Sequence, residues 1–429
     1  MKRIALVLLL LSVFLAGVVR GEERFPPPEF ESGYTMPETT VPAPRSLAWE
    51  LIDVALLLLA LSVATWLVLK RRSRHGVAWL GVICLIYFGF FREGCVCPVG
   101  ATQNVVLAIF DSSYALPIGV LFFFALPLLF ALFAGRSFCS GVCPLGAIQD
   151  VVLLRPVGLP DWLERGLRML AYVYLGLAVY FAATGAAFVI CRYDPFVGFF
   201  RLSGGFDMLV LGGCFLLIGV FVGRPYCRFL CPYGVLLDLA SRLSRWRVSI
   251  TPAECVHCRL CEESCPYGAI ALPSPRRDVK QRAVAGRRLV LLFILLPVIV
   301  AVASFLGSRA GRPLSRVHPT VDLALRVAAE RNLPDARATD ETLAFRKTGE
   351  TVADLNLRAR DRQEAFVRGG WWLGAWIGLV VAVMLIGLFT LPVRIDYEAD
   401  RGRCMSCARC FPYCPTEHER RKALVQGTT

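Results

Sequence analysis

The sequence is short of histidine and of charge. Its four histidines, His75, His257, His318 and His418, all lie outside the long apolar runs. Paired imidazoles inside a membrane, which would hold a b-type haem, are therefore missing. No Cys-x2-Cys-His occurs, which excludes c-type haem attachment. There is no glycine-rich dinucleotide fingerprint and no P-loop. No haem is expected, and any electron carrier in this chain has to be an iron–sulfur or thiol centre. Charged residues make up 19% of the 429, hydrophobic residues 56%, and the mean hydropathy is +0.57. That balance excludes an ordinary soluble domain.

Apolar runs long enough for the ~30 Å hydrocarbon core of a bilayer are present instead. The expected fold class is mainly α: a polytopic membrane helix bundle with a small cytoplasmic α+β two-cluster ferredoxin module. Residues 1–21 read as a signal peptide or signal anchor, and 22–48 as an outer linker rich in proline and acid. About seven spans are expected, near 49–69, 77–91, 115–135, 169–190, 207–223, 289–307 and 371–391. The net charge of +14 does not point to nucleic acid, because the basic residues gather at the ends of these runs. Lys70, Arg71, Arg72, Arg74, Arg136, Arg155, Arg165 and Arg168, the 224–288 segment and the tail mark the inner side. The segments 92–114 and 191–206 are nearly uncharged. The positive-inside rule then puts the mature N-terminus outside and the C-terminus in the cytoplasm of a bacterial-type inner membrane. Residues 308–368 form an outer cap on this topology.

Seventeen cysteines stand mostly at short fixed spacings, which favours metal or redox chemistry over disulfides. Cys255-x2-Cys258-x2-Cys261-x3-Cys265-Pro266 and Cys404-x2-Cys407-x2-Cys410-x3-Cys414-Pro415 carry the bacterial ferredoxin spacing for 4Fe–4S clusters. Three thiolates two residues apart wrap a tight loop around three irons, and the proline turns the chain away. In two-cluster ferredoxins the fourth cysteine serves the other cluster. The expected ligand sets are Cys255, Cys258, Cys261 and Cys414 for cluster one, and Cys404, Cys407, Cys410 and Cys265 for cluster two. Strand-like stretches, Arg247 to Thr251 and Val393 to Tyr397, precede the two motifs. The first ferredoxin half is expected over 247–288 and the second over 392–429.

Residues 49–246 also hold a repeat. Gly135-Arg136-Ser137-Phe138-Cys139 through Cys143-Pro144-Leu145-Gly146 matches Gly223-Arg224-Pro225-Tyr226-Cys227 through Cys231-Pro232-Tyr233-Gly234, and Asp150 matches Asp238. A looser third copy is Cys95-Val96-Cys97-Pro98-Val99-Gly100. Cys139, Cys143, Cys227 and Cys231 form a candidate inner site for a metal or further cluster, with thiol–disulfide switching or simple packing as the other readings. Cys95, Cys97 and Cys191 form a candidate outer site for a metal or cluster, with Cys84 and Cys214 as candidate fourth ligands; a disulfide from Cys191 to Cys95 or Cys97 is the other reading, because that side is oxidising.

Repeated Cys-x3-Cys-Pro turns joined to ferredoxin motifs resemble the NosR/NapH-like family of membrane polyferredoxins. The resemblance covers about residues 50–270 and the C-terminal motif. It implies a respiratory electron-transfer role, two cytoplasmic 4Fe–4S clusters and service to periplasmic reductases or their maturation. The two ferredoxin motifs are split here by two spans and the cap rather than lying in tandem. The reading is a membrane-bound iron–sulfur electron-transfer protein linking a cytoplasmic or quinol-side donor to an outer, periplasmic acceptor. It is an electron-transfer component rather than a stand-alone enzyme, with no catalytic residue, redox proteins as partners and a quinone as a candidate one. The alternative is a thiol–disulfide or metal-handling membrane transporter or maturation factor working through the Cys-Pro repeats.

Overall fold

A computed structural model describes residues 46–94, 97–250, 255–274, 279–332, 339–390 and 394–426. The expected leader and most of the linker, together with Cys95, lie outside the described residues. The chain is mostly helical. Its first long helix, α1 (Leu47–Leu69), is followed by α2 (Arg74–Cys84), which runs on as a π-helical turn, Leu85–Phe91. Then come α3 (Pro98–Phe110) and α4 (Ile118–Ala134). The first repeat supplies α5 (Ser137–Gly141) and α6 (Pro144–Val152). Next are α7 (Asp161–Ala183), α8 (Val189–Arg192), α9 (Val197–Arg201) and α10 (Phe206–Gly219). The second repeat supplies α11 (Pro225–Phe229) and α12 (Pro232–Arg242).

Three of these helices begin in one way. Cys97, Cys143 and Cys231 are extended residues that cap α3, α6 and α12, each with proline at the first helical position. Proline suits that position because its ring presets the helical φ and the lost N–H had no helical partner. Segment 92–114, expected as a loop, thus contains a helix that starts as soon as Pro98 allows.

Among the described residues, five helices are long and apolar enough to cross a membrane: Leu47–Leu69, Arg74–Phe91, Asp161–Ala183, Val284–Val317 and Val352–Gly387. The apolar helices Pro98–Phe110, Ile118–Ala134 and Phe206–Gly219 are shorter. At 1.5 Å per residue they reach roughly 20–26 Å, less than the ~30 Å apolar core.

A short helix, α13 (Leu260–Glu263), and strand β1 (Ile270–Ala271) follow the first ferredoxin motif. The chain then leaves on α14 (Val279–Leu314), turns through α15 (Pro319–Asn332) and α16 (Asp340–Lys347), and returns on α17 (Val352–Phe389). Helices α14 and α17 outrun the expected spans at 289–307 and 371–391, because good helix formers carry them into the charged cap segment. Small residues let the two backbones touch. A Cβ on Gly374 would stand 2.1 Å from the Ala303 carbonyl, and one on Gly370 2.4 Å from that of Gly307. Such stripes are how helices associate where lipid offers no hydrophobic drive.

The return delivers β2 (Glu398–Ala399), the second motif and α18 (Pro415–Gln426). β1 and β2 pair antiparallel, with Ile270 opposite Ala399 and Ala271 opposite Glu398. The ladder is short and lies after the first motif, not before it. Residues 247–250 alternate exposed and buried as a strand would, but make no ladder among the described residues.

Candidate metal centre

The two ferredoxin loops share one backbone device. His257 and Arg259 have φ of +52° and +64°, and Ser406 and Ala408 have +51° and +59°. Each stands between two cysteines of a Cys-x2-Cys step, at matching places in the two motifs. A non-glycine residue in this region costs about 1–3 kcal/mol and persists where the site demands it. The demand here is a tight loop closing round a compact centre.

Cys255, Cys258, Cys261 and Cys414 line one pocket together with Ile250, Tyr397 and Thr416. Cys261 has Cys258, Cys414 and Cys255 as electrostatic neighbours. Cys404 has Cys407 and Cys265, and Cys410 has Cys404, Cys407 and Cys265. The last cysteine of each motif therefore stands with the first three of the other. Burial, then neighbouring thiolates, push Cys261 up to about 11 and Cys404 up to about 12. Four thiolates crowded like this need a positive centre among them, and a soft metal centre supplies it. The residues fit an iron–sulfur group. Smaller contacts trim the sulfurs: Ala269 N–H donates to Cys265 Sγ at 3.4 Å, and Cys414 Sγ meets Thr416 Oγ1 at 3.1 Å.

The repeats meet face to face. Cys143 has Cys227, Cys139 and Cys231 as electrostatic neighbours. Gln149 Nε2 donates to Cys227 Sγ at 3.3 Å, and Gly234 N–H donates to Cys231 Sγ at 3.3 Å. Arg136 Nη2 approaches Cys139 Sγ at 3.8 Å. The arginines are exchanged between the repeats. Arg224, 1% exposed, binds Asp150 through Nε and Nη2 at 2.9 Å each, and donates to the Cys139 and Ser140 carbonyls. Arg136, 4% exposed, has Asp238 among its electrostatic partners. Each guanidinium also lies over the other repeat's glycine, with Arg224 Nη1 3.0 Å from a Cβ on Gly146 and Arg136 Nη2 3.3 Å from one on Gly234. This exchange is not readable from either copy alone; the equal spacing from arginine to aspartate in both was the available signal.

The ferredoxin loops dock on this exchange. Arg136 Nη1 donates to the Gly402 carbonyl at 3.0 Å, two residues before Cys404. Tyr267, two residues after Cys265, donates its hydroxyl proton to Asp150 Oδ1 at 2.7 Å. Although burial opposes its charge, Arg224 and Arg74 hold the Asp150 carboxyl well below the usual carboxylate range.

The expected outer cysteines are not a bilayer away from the inner ones. Cys97 is an electrostatic neighbour of Cys143 and Cys231 as well as of Cys191. The 92–114 segment continues into α3, whose Cys-Pro cap stands near the repeats. Of the other expected residues, Cys84 is buried in the core with Cys139 and Cys143, and Cys214 is exposed on α10. Cys97 and Cys191 line a cavity of about 340 Å³ together with Asp53, Arg92 and Asp194.

Comparison with known proteins puts the same chemistry on these segments. A family model described as a 4Fe-4S binding domain matches residues 116–169 and 205–251, the two repeats, and a second 4Fe-4S binding domain matches 248–271. The regulatory protein NosR of Pseudomonas aeruginosa is 27% identical over 47% of this chain and 30% of its own length. Protein NirI of Paracoccus denitrificans is 30% identical over 32% of this chain and 22% of its own. The methylamine utilization ferredoxin-type protein MauN of Paracoccus denitrificans is 29% identical over 37% of this chain and 58% of its own. The chain thus spans less than two thirds of the length of each. No solved structure matches it. With apolar helices long enough to span a bilayer and 4Fe-4S binding domains on the cysteine repeats, the chain is similar to the regulatory protein NosR and the ferredoxin-type protein MauN.

Proposed function

We propose that the chain carries electrons between the two sides of the cytoplasmic membrane through three successive cysteine sites. Cys255, Cys258, Cys261 and Cys414 hold a first 4Fe–4S cluster, and Cys404, Cys407, Cys410 and Cys265 a second. Cys139, Cys143, Cys227 and Cys231 hold a third centre, and the path ends outward at Cys97 and Cys191. The bound clusters supply one-electron carriers that change charge with little movement of the protein. The single observation behind this reading is contiguity. Cys410, Cys261 and Cys414 share one buried core, while Cys407 shares the next with Cys139, Cys143 and Cys231. A bilayer core of ~30 Å cannot be served by a surface ferredoxin alone, and buried sulfur sets at successive depths answer that need.

The protein's own groups do three things on this path. Backbone turns at His257, Arg259, Ser406 and Ala408 shape the loops. Arg136 joins the second cluster's loop to Cys139. The pair Arg224–Asp150 ties Tyr267 to the first repeat. The charge pattern makes the ferredoxin loops cytoplasmic, so the donor is cytoplasmic or quinol-side and the acceptor lies outside. Iron and acid-labile sulfide analysis of the purified full chain, with electron paramagnetic resonance after reduction, tests it. Two 4Fe–4S signals and a further signal lost with Cys143→Ala and Cys227→Ala are expected. Iron for two clusters only, with no change in those variants, would remove the third centre from the path.

A further inference from the structure

Two of the three Cys-Pro helix starts have a glutamine six residues after the cysteine: Gln149 after Cys143, and Gln103 after Cys97. Both glutamines are fully buried. The Gln149 carbonyl accepts from the N–H of Tyr226, the residue before Cys227, at 3.1 Å, and its NH2 serves the Cys227 sulfur. The Gln103 carbonyl accepts from the N–H of Ile190, the residue before Cys191, at 2.9 Å. The same construction is thus laid down a second time. The difference is that Gln103 Nε2 is buried with no hydrogen-bond partner among the described residues. An unmet buried donor costs about 1–3 kcal/mol, and its counterpart is satisfied by a thiol.

The two outer sulfurs share a third group. Cys97 caps α3 three residues ahead of Gly100, and Cys191 Sγ lies 3.3 Å from where a Cβ on Gly100 would stand. In the inner copies that place above the glycine is taken by an arginine. Cys191 is exposed and Cys97 is half-buried, the arrangement of an attacking thiol and a resolving one. Both open on the cavity of about 340 Å³, a size that suits a small-molecule substrate. Two thiols that open on one cavity suit a dithiol–disulfide couple.

We propose that Cys97 and Cys191 form a redox-active dithiol that exchanges electron pairs with a disulfide-bearing substrate admitted to this cavity, with Gln103 positioning the Cys191 sulfur. The proposal rests on the electron-transfer reading above for its supply of electrons. The Cys191 thiolate attacks one sulfur of the substrate disulfide; that S–S bond breaks and the other substrate sulfur leaves. Cys97 then attacks the Cys191 sulfur, forming the Cys97–Cys191 bond and freeing the second substrate sulfur. The two protons lost by Cys97 and Cys191 end on the two substrate thiols. A one-electron centre held by Cys139, Cys143, Cys227 and Cys231 would supply two electrons singly, and with two protons from cavity water these would return the bridge to the dithiol.

The test is two-step alkylation with mass spectrometry on the full chain in lipid nanodiscs, poised with mixtures of oxidised and reduced glutathione. A linked Cys97–Cys191 peptide is expected at the oxidising end and two alkylated thiols at the reducing end. Cys97→Ser should trap glutathione on Cys191. Gln103→Leu should shift the midpoint, since the Ile190 N–H that sets the backbone before Cys191 loses its acceptor, whereas Cys214→Ser should leave it unchanged. Cys97 and Cys191 alkylating at every poise, or Cys191 bridging to Cys95 instead, would overturn the proposal. A normal reduced-cluster resonance signal without the bridge overturns this proposal alone. A reversible bridge in protein without that signal overturns the electron-transfer reading alone.

Discussion

Asp150→Asn isolates the joint between the membrane repeats and the ferredoxin loops. The Asp150 carboxylate accepts from Arg224 at 2.9 Å twice, from the Tyr267 hydroxyl at 2.7 Å and from Arg74 at 3.3 Å. The Arg224 side chain is 1% exposed and that of Asp150 13%. An amide fills the same space but removes the charge, leaving a buried guanidinium without its counter-ion. Breaking a buried pair from one side costs about 3–5 kcal/mol. Asparagine keeps an acceptor oxygen, so the lower end, about 3 kcal/mol, is the fair figure. At 1.4 kcal/mol per decade that is roughly a hundredfold in the equilibrium that opens the joint. The damage should be local. Tyr267 stands two residues from Cys265, whereas Cys255, Cys258 and Cys261 belong with Cys414 to the other cysteine set. Iron release to a chelator, followed by paramagnetic resonance, reads this directly. The centre that depends on Cys265 should lose iron on the order of 10–100-fold faster than in the unchanged protein, and the other centre should not change. Equal loss from both centres, or from neither, would refute the assigned role of the pair.

The same carboxyl predicts a pH profile. Its folded value lies below the usual carboxylate range, so its stabilisation is full above the unfolded value of about 3.9 and fades as pH falls through the folded one. Iron release should be flat from about pH 7 to 5, accelerate below about pH 4, and lose that acid step in Asp150→Asn; a step centred near neutrality would contradict the assignment. Gly402→Ala would place a Cβ 1.8 Å from Asp238 Oδ1, on a carboxylate already held by Tyr172 and Arg242. The loop must move, at about 1–3 kcal/mol, and a thermal unfolding midpoint in detergent that did not fall would argue against this packing. Ala408→Val puts a β-branched side chain at φ +59° and should cost about 1–3 kcal/mol, while Ala408→Gly should be tolerated; denaturant titration separates them. Gly374→Leu should separate α14 from α17, since its Cβ position is already 2.1 Å from the Ala303 carbonyl, and cross-linking between cysteines placed on the two helices should fall.

What was legible in the sequence was chemistry at short range. The Cys-x2-Cys steps and the prolines after Cys97, Cys143 and Cys231 state their local geometry, because thiol spacing and proline's fixed φ act within a few residues. The apolar runs likewise announced helices of the right order of length. What was hidden depends on partners far along the chain. Ser137 to Gly146 and Pro225 to Gly234 look like two independent copies, yet Arg224 lies on Gly146 and Arg136 on Gly234. Nothing within either copy says that its arginine is spent on the other. The position of Cys97 was hidden for a related reason. Charge patterning sorts segments by side of the membrane, but it is blind to an uncharged helix such as α3, which is shorter than a span. The ladder was misplaced because Arg247 to Ile250 has the alternation of a strand, and alternation says only that one face is buried. Pairing also needs a partner backbone, and β2 offers its edge to Ile270 and Ala271 instead. The physical consequence concerns assembly. The β1–β2 ladder, the crossed cysteine sets and the Arg136–Gly402 hydrogen bond all join segments separated by α14 and α17, so neither ferredoxin half is complete until that helix pair has closed. Cluster loading on the newly made chain should therefore follow the insertion of α17 and not precede it.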